Sequence, residues 1–306
     1  MKTFLQMNTI FLSMVMEAIP FVLIGVLISG LIQIFVTESW IARVMPRNRL
    51  LSSLFGCGVG VLFPSCECGI VPITRRLLGK GVPLNAGIAF MLTGPVINPI
   101  VLFSTYIAFG NDWRMVEIRA GMAVAVAFLI SIALSFLFPE LPLRSKPEPA
   151  PVAATLEPDT GAVSLKPGRR WLPQVYGVLA HAIEEFFSVG KYVVIGAFIA
   201  ACMQTYIPTS TLMHLGHDPL SSSLVMIGMA FVMSLCSEAD AFIGASFRST
   251  FSVGAISAFL VYGPMIDIKN TLMLTGTFKG KFVAAMIALV TVFTLVGSLI
   301  VGRVFG

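Results

Sequence analysis

The sequence predicts an all-α polytopic membrane protein of about eight transmembrane segments in two repeated halves with broken helices. Three observations carry that prediction. The 306 residues are 57% hydrophobic and only 11% charged, with a mean hydropathy of +0.92, against about 25% charge in an ordinary soluble domain. The charges fall between apolar runs that reach the roughly 20-residue length of a bilayer span. A charged, proline-rich stretch at 139–172 then divides the chain into an N-terminal membrane repeat, 1–138, and a C-terminal one, 173–306.

The spans follow in order. The first, about 8–36, carries Glu17, Pro20 and a Gly25/Ser29 small-residue face suited to close helix approach. Lys2 precedes it without a cleavage site, which reads as a retained span. The second, 50–78, is interrupted by Pro64–Gly69. The third, 82–109, is interrupted at Thr93-Gly94-Pro95-Val96-Ile97-Asn98-Pro99, and the fourth is 116–138. The linker includes Lys146-Pro147-Glu148-Pro149-Ala150-Pro151, a composition that stays extended. The second half holds spans at 173–207, 221–247, 251–275 and 281–303. The middle two are interrupted at Cys236-Ser237-Glu238-Ala239-Asp240 and at Gly263-Pro264-Met265-Ile266-Asp267.

The halves match in register at several points. Ile24-Gly25 and Gln33 correspond to Ile195-Gly196 and Gln204; Gly94-Pro95 and Asn98 correspond to Gly263-Pro264 and Asp267. Paired interruptions in two halves are the best sequence pointer to a transporter's binding site. If every segment crosses, the repeats are parallel and both termini face the cytoplasm with the basic linker and Arg75-Arg76-Lys80, yet Arg43, Arg47 and Arg49 then fall outside. If broken segments re-enter, each half crosses an odd number of times and the repeats are inverted. Both arrangements stay open at this point.

The chemistry concentrates at Phe63-Pro64-Ser65-Cys66-Glu67-Cys68-Gly69. Two thiols two residues apart converge on one soft centre, and an intramembrane carboxylate is a functional-site hypothesis by default. The bland alternative, cysteine as a small hydrophobe, is weakened by Glu67. Cys66, Cys68, Glu67, Asn98 and Asp267 are the candidate substrate-binding residues. Glu67, Glu238 and Asp240 are the candidate proton carriers, against a bland reading of Glu238 and Asp240 as ion-pair partners of Arg75, Arg76 or Arg248. Pro64, Gly69, Gly94, Pro95, Gly263 and Pro264 are the expected helix breakers. Asn98 and Asp267 also suit helix capping after a break.

Two histidine patches have weaker claims. His181, Glu184 and Glu185 share a helical face and read mainly as a polar interface. His214, His217 and Asp218 lie in a loop with turn residues Gly216 and Pro219. A metal role stays unassigned, and no cofactor is expected. Five cysteines at irregular spacing, Cys57, Cys66, Cys68, Cys202 and Cys236, read as free thiols. H-E-x-x-H, G-x-S-x-G and the phosphate-loop pattern do not occur, so the chain reads as no enzyme and as powered by an ion gradient or a separate motor. The net charge of +5 comes without a basic stripe, so nucleic acid is not an expected partner.

The Cys66-Glu67-Cys68 run, Pro72-Ile73-Thr74-Arg75-Arg76, Thr93-Gly94-Pro95 with Asn98-Pro99, Ser237-Glu238-Ala239-Asp240 and Gly263-Pro264 with Asp267 resemble the YraQ/ArsP-type predicted permeases of bacteria over nearly the whole chain. The resemblance implies a multi-pass permease of the cytoplasmic membrane. Its ArsP branch is associated with efflux of trivalent organoarsenicals, and on that analogy Cys66 and Cys68 bind arsenic. Partners are then a small-molecule substrate, the bilayer, and a membrane partner or a second copy. The rival readings are a permease for a transition metal or metal chelate, and a non-transporting thiol-redox or scaffold component of the membrane.

Overall fold

The computed structural model describes residues 2–46, 48–63, 66–144, 171–206 and 218–305. In the first half these form α1 (Lys2–Phe35), α2 (Glu38–Val44), α3 (Arg49–Leu62), α4 (Glu67–Gly79), α5 (Leu84–Ile97), α6 (Pro99–Ala108) and α7 (Trp113–Leu137). In the second half they form α8 (Trp171–Tyr206), α9 (Pro219–Met233), α10 (Ser237–Ser246), α11 (Val253–Met265), α12 (Ile268–Thr277) and α13 (Gly280–Phe305). Among the described residues five stretches are long and apolar enough to cross a bilayer: one each in α1, α7, α8 and α13, and the α5–α6 pair. Short polar caps start several helices: Asn48 accepts from the Leu50 amide at 3.1 Å and Asp112 from the Arg114 amide at 2.9 Å. Among the linker residues 139–172, those described are 139–144 and 171–172, the last two already part of α8. Residues 139–144 are not free: Arg144 N donates to Thr277 O, Lys279 N donates to Pro142 O, and Leu143 forms an antiparallel bridge with Phe278.

Long-range contacts fix the direction of α1 and of α3 to α13. The end of the molecule holding 142–144 is the linker end, and the opposite one, with both chain termini, is the terminal end. α1 and α8 run antiparallel: Met7 meets Cys202, Phe11 meets Phe198 and Ser29 donates to Glu185. α1 climbs to the linker end, where Lys80 at the end of α4 donates to Val36 O. α3 starts at that same end, since Arg49 O accepts from Asn85 and its guanidinium donates to Ser135 near the end of α7. The α3–α4 segment therefore descends and returns, while α5–α6 continues through to Trp113 and α7 climbs back.

The second half does the reverse. α8 descends to the terminal end. α9 starts there, where Asp218, Thr250, Ser252 and Arg303 line one cavity, and α10 returns there, with Arg248 donating to Phe109 O. α11–α12 climbs to the linker end, and α13 descends until Phe305 O accepts from Arg114. Six traverses result: α1, α5–α6, α7, α8, α11–α12 and α13. The segments expected at 50–78 and 221–247 are re-entrant hairpins. Their legs explain why. The 14 residues of α3 and 13 of α4 span only about 20 Å each at 1.5 Å per residue, short of a roughly 30 Å hydrocarbon core.

The breaks also lie elsewhere than the glycine–proline pairs suggested. Gly94 and Pro95 sit inside α5, Gly263 and Pro264 inside α11, and Gly69 inside α4. Pro64 lies outside the described residues. The break after α5 falls at Asn98 (φ −69°, ψ 155°) because Pro99 bars its predecessor from the helical region. Pro99 then starts α6 at the position where a missing N–H costs nothing. The glycines serve close approach. A Cβ on Gly25 would lie 2.5 Å from Gly69 O, and one on Gly196 2.8 Å from Lys269 Cα. α1 and α8 thereby press directly on the half-helices α4 and α12.

Two predictions follow from this geometry. Arg43, Arg49, Arg75, Arg76, Lys80, Arg144, Lys279 and Lys281 gather at the linker end, against Lys2, Arg114, Arg248 and Arg303 at the other. The positive-inside bias then puts the linker in the cytoplasm and both termini outside. Terminal alkaline phosphatase fusions will be active and linker fusions inactive; the opposite pattern overturns the orientation. Secondly, Gly196→Val will cost about 1–3 kcal/mol by overpacking, read as a lower unfolding midpoint in detergent. Gly190→Val, where a Cβ meets nothing within 4 Å, will stay close to wild type.

Candidate functional site

The two hairpins stop at mid-depth and their tips meet. Cys66 and Cys236 are the N-cap residues of α4 and α10, in extended conformation and without a side-chain capping bond. The Cys66 thiol lies close enough to Cys236 and Cys68 for the three to interact, and all three are buried. A thiol is a weak acceptor, so the first-turn amides of both half-helices are poorly capped where no water reaches them. Acidic side chains collect at these positive helix ends: Glu67 in the first turn of α4, Glu238 and Asp240 in that of α10.

Each fully buried acid has a basic partner, which for Glu67 and Asp240 comes from another element. Lys269, in the first turn of α12, places Nζ 3.7 Å from Glu67 Oε1 and 3.7 Å from Asp267 Oδ2. Asp267 caps α12 by accepting from the Asn270 amide at 2.6 Å and also accepts from Ser234 Oγ at 2.7 Å. Ser234 ends α9 in the left-handed region (φ 49°). That conformation is costly for a residue with a Cβ, and here its bond to Asp267 holds it. Glu67 Oε2 and Asn270 Oδ1 are buried with no hydrogen-bond partner.

The second cluster lies between this centre and the terminal end. Arg119 of α7 is completely buried. Its Nη2 lies 3.1 Å from Asp240 Oδ1 and donates to Asp240 Oδ2 at 3.3 Å and to Ser237 O at 3.2 Å; its Nη1 donates to Thr105 Oγ1 at 2.9 Å. The guanidinium thus ties α7, α6 and α10 together. A third pair, Arg76–Glu185 at 3.4 Å with Ser29 donating to the same carboxylate, joins α4, α8 and α1. Glu185 is therefore an inward ion-pair partner rather than part of a polar interface.

Cys66, Glu67, Cys68 and Asp267 thus come together, joined by Cys236, Lys269 and Ser234. Asn98 caps α6, accepting from the Val101 amide at 2.9 Å, and takes no part in the bonds that join this cluster. Asp240 pairs with Arg119, not with the basic residues weighed for it from sequence; Arg248 instead approaches Asp112, at 3.8 Å. Glu238 is half-buried. His214 and His217 lie outside the described residues, as does the side chain of His181. Among the described residues no group of three or more His, Cys, Asp or Glu is arranged to hold a metal ion, and all five cysteines are free thiols. The reading from sequence passed over Lys269 and Arg119. The signal was present, since both are ionisable residues inside apolar runs.

Removing one partner of a buried ion pair leaves a stranded charge and costs about 3–5 kcal/mol. Arg119→Met and Asp240→Asn will each lower the unfolding midpoint strongly, and the double variant will lose less than the sum of the two. Strict additivity would show that the pair does not couple.

The sequence matches the family model described as "Predicted permease", of the ArsP type, over residues 3–303. It is 58% identical to the UPF0718 protein YcgR of Bacillus subtilis, over 98% of each chain. It is 43% identical, over 97% of this chain and 95% of the other, to a Streptococcus mutans protein named a putative two-component membrane permease complex subunit. The UPF0718 protein YraQ of Escherichia coli matches at 24% over 40% of this chain and 35% of its own. No solved structure matches. With re-entrant tips meeting among buried thiols and charges, and a family match from end to end, the chain belongs to the ArsP-type predicted permeases, and it is a multi-pass membrane permease.

Proposed function

We propose that this permease is a gradient-driven exporter of soft, thiol-reactive substrates, trivalent organoarsenicals foremost, which bind at Cys66 and Cys68. The observation that carries the reading is the meeting of thiols at the hairpin tips, at the depth where a substrate must change sides. A monosubstituted trivalent arsenical has two exchangeable groups. Two thiols replace two hydroxyls on arsenic with release of two waters, and thiolates select such soft centres. Poorly capped first-turn amides beside the thiols support the same place.

The halves 1–138 and 173–306 act in this reading as inverted repeats. The support is their shared order of a long helix, a hairpin, a broken traverse and a second long helix, run in opposite directions. Inverted repeats give a permease two mirrored states, one open to each side. Glu67 carries the coupling proton, with Glu238 and Asp240 completing the relay and Arg119 holding Asp240 when it is ionised. Asp267 and Asn98 shape the path at the two helix breaks. The Streptococcus mutans relative's name speaks of a two-component complex, and a membrane partner is accordingly part of the proposal.

Everted membrane vesicles with an imposed pH gradient test it. Wild type will accumulate methylarsenite and phenylarsenite, and the Cys66→Ser/Cys68→Ser double variant, inserted to the same level, will lose at least about 90% of that uptake, a tenfold effect that two lost sulfur ligands readily exceed. Full activity in the double variant removes the thiols from the mechanism. Uptake of zinc alone moves the chain to the metal-permease reading.

A further inference from the structure

The buried charges at the centre do not balance. In their ionised forms Glu67, Asp267 and Asp240 set three negative charges against the two positive charges of Lys269 and Arg119, and each of the five side chains is at least nine-tenths buried. Arg119 and Asp240 pair one positive with one negative charge, Nη2 standing 3.1 Å from Oδ1 and donating to Oδ2 at 3.3 Å, so the excess falls on the Glu67–Lys269–Asp267 group. There the ammonium stands 3.7 Å from each carboxylate, beyond the 2.7–3.2 Å range of a made hydrogen bond. The two buried atoms left without a partner in this group, Glu67 Oε2 and Asn270 Oδ1, are both acceptors. An anion cannot satisfy them; a proton or a small cation can.

We propose that Lys269 is a tethered cation that shares the Glu67–Asp267 carboxylates with one mobile monovalent cation, H⁺ or Na⁺, which enters in competition with the lysine. Asp267 is the fixed wall of this site, since Ser234 Oγ and the Asn270 amide already hold both of its oxygens. Glu67 is the open side, with Oε2 unbonded. When the mobile cation is bound, the ammonium moves off Glu67 toward Asp267; when it leaves, the ammonium returns to a place between the two carboxylates and shares its one charge between them. The remaining ionisable groups facing the site are the thiols of Cys66, Cys68 and Cys236, Glu238 on α10 and Glu17 on α1. None of them adds a positive charge, so Lys269 is the competitor.

The inference rests on the gradient-coupled reading of this same site, but its test needs no substrate. The purified full chain in detergent is unfolded thermally across a Na⁺ series, against choline at constant ionic strength, and across a proton series. Wild type will be stabilised by one of the two cations, and the responding series names it. Lys269→Gln removes the competitor and will shift the half-saturating concentration of that cation at least about tenfold lower, as expected for losing a charge this close. Lys269→Arg keeps the charge in a fork that holds carboxylates more firmly and will shift the half-saturating concentration no lower than wild type, and the Lys269→Gln/Glu67→Gln double variant, neutral at both positions, will lose the response. No response in wild type, or a half-saturation unchanged in Lys269→Gln, overturns the proposal. Should Lys269→Gln not fold, the double variant decides alone: a response it retains overturns the proposal. Cation binding that persists while arsenicals are not transported leaves this inference standing and removes the substrate.

Discussion

A helix that stops at mid-depth in a membrane protein exposes amides and carbonyls that no solvent reaches, and the rest of this structure follows from meeting that demand. The half-helices α4, α6, α10 and α12 all begin inside the molecule. Asn98 and Asp267 cap two of them with side-chain oxygens. Cys66 and Cys236 cap the other two poorly, and there the carboxylates of Glu67, Glu238 and Asp240 crowd the positive helix ends. Each fully buried acid then requires a cation within reach, because desolvation leaves an unpaired charge far too costly, and Glu67 and Asp267 share Lys269. Lys269 and Arg119 are thus second-order consequences of the chain breaks, supplied by whichever neighbouring helix stands closest.

That order of causes explains what the sequence made legible. Breaks, acids and thiols announce themselves as polar residues in apolar runs, so Cys66, Glu67, Cys68, Asp240 and Asp267 stood out with no structure at hand. The in-register glycines Gly25 and Gly196 were legible as a repeat, although their task of seating α4 and α12 appears only once the helices are packed. Crossing and re-entry were not legible, because a leg of α3 or α9 is as apolar as half of a full traverse. Direction is written instead in long-range contacts such as Arg49 with Ser135 and Asn85, which leave no local trace. Gly94-Pro95 misled for a related reason. A proline near the end of a helix costs one hydrogen bond without ending it, whereas Pro99 acts on the backbone of Asn98 and does end it.

The two charged clusters are built from different side chains, and the difference assigns them different work. Arg119 offers a planar fork with several donors, and the structure uses it on Asp240, Ser237 O and Thr105 Oγ1 together. Such a multiply bonded guanidinium is hard to detach. Lys269 is a point charge on a flexible stem, held by two contacts of 3.7 Å. The first cluster is a strut and the second a movable element.

Their placement makes the contrast mechanical. α4 of the first hairpin packs against α12 of the other half's broken traverse, and α10 of the second hairpin packs against α6 of the first half's. Each hairpin therefore grips the opposite half, one through Lys269 and Glu67, the other through Arg119, Asp240 and Thr105. A motion that opens a path past Cys66 and Cys236 has to loosen at least one grip. The Arg119 grip opens only by stranding a guanidinium and a carboxylate at once. In the proposed mechanism the Lys269 grip opens when a proton or small cation takes the place of the ammonium on Glu67, with no net charge left behind. Ion entry and the release of the α4 hairpin then become the same event, which is the coupling that a gradient-driven permease needs.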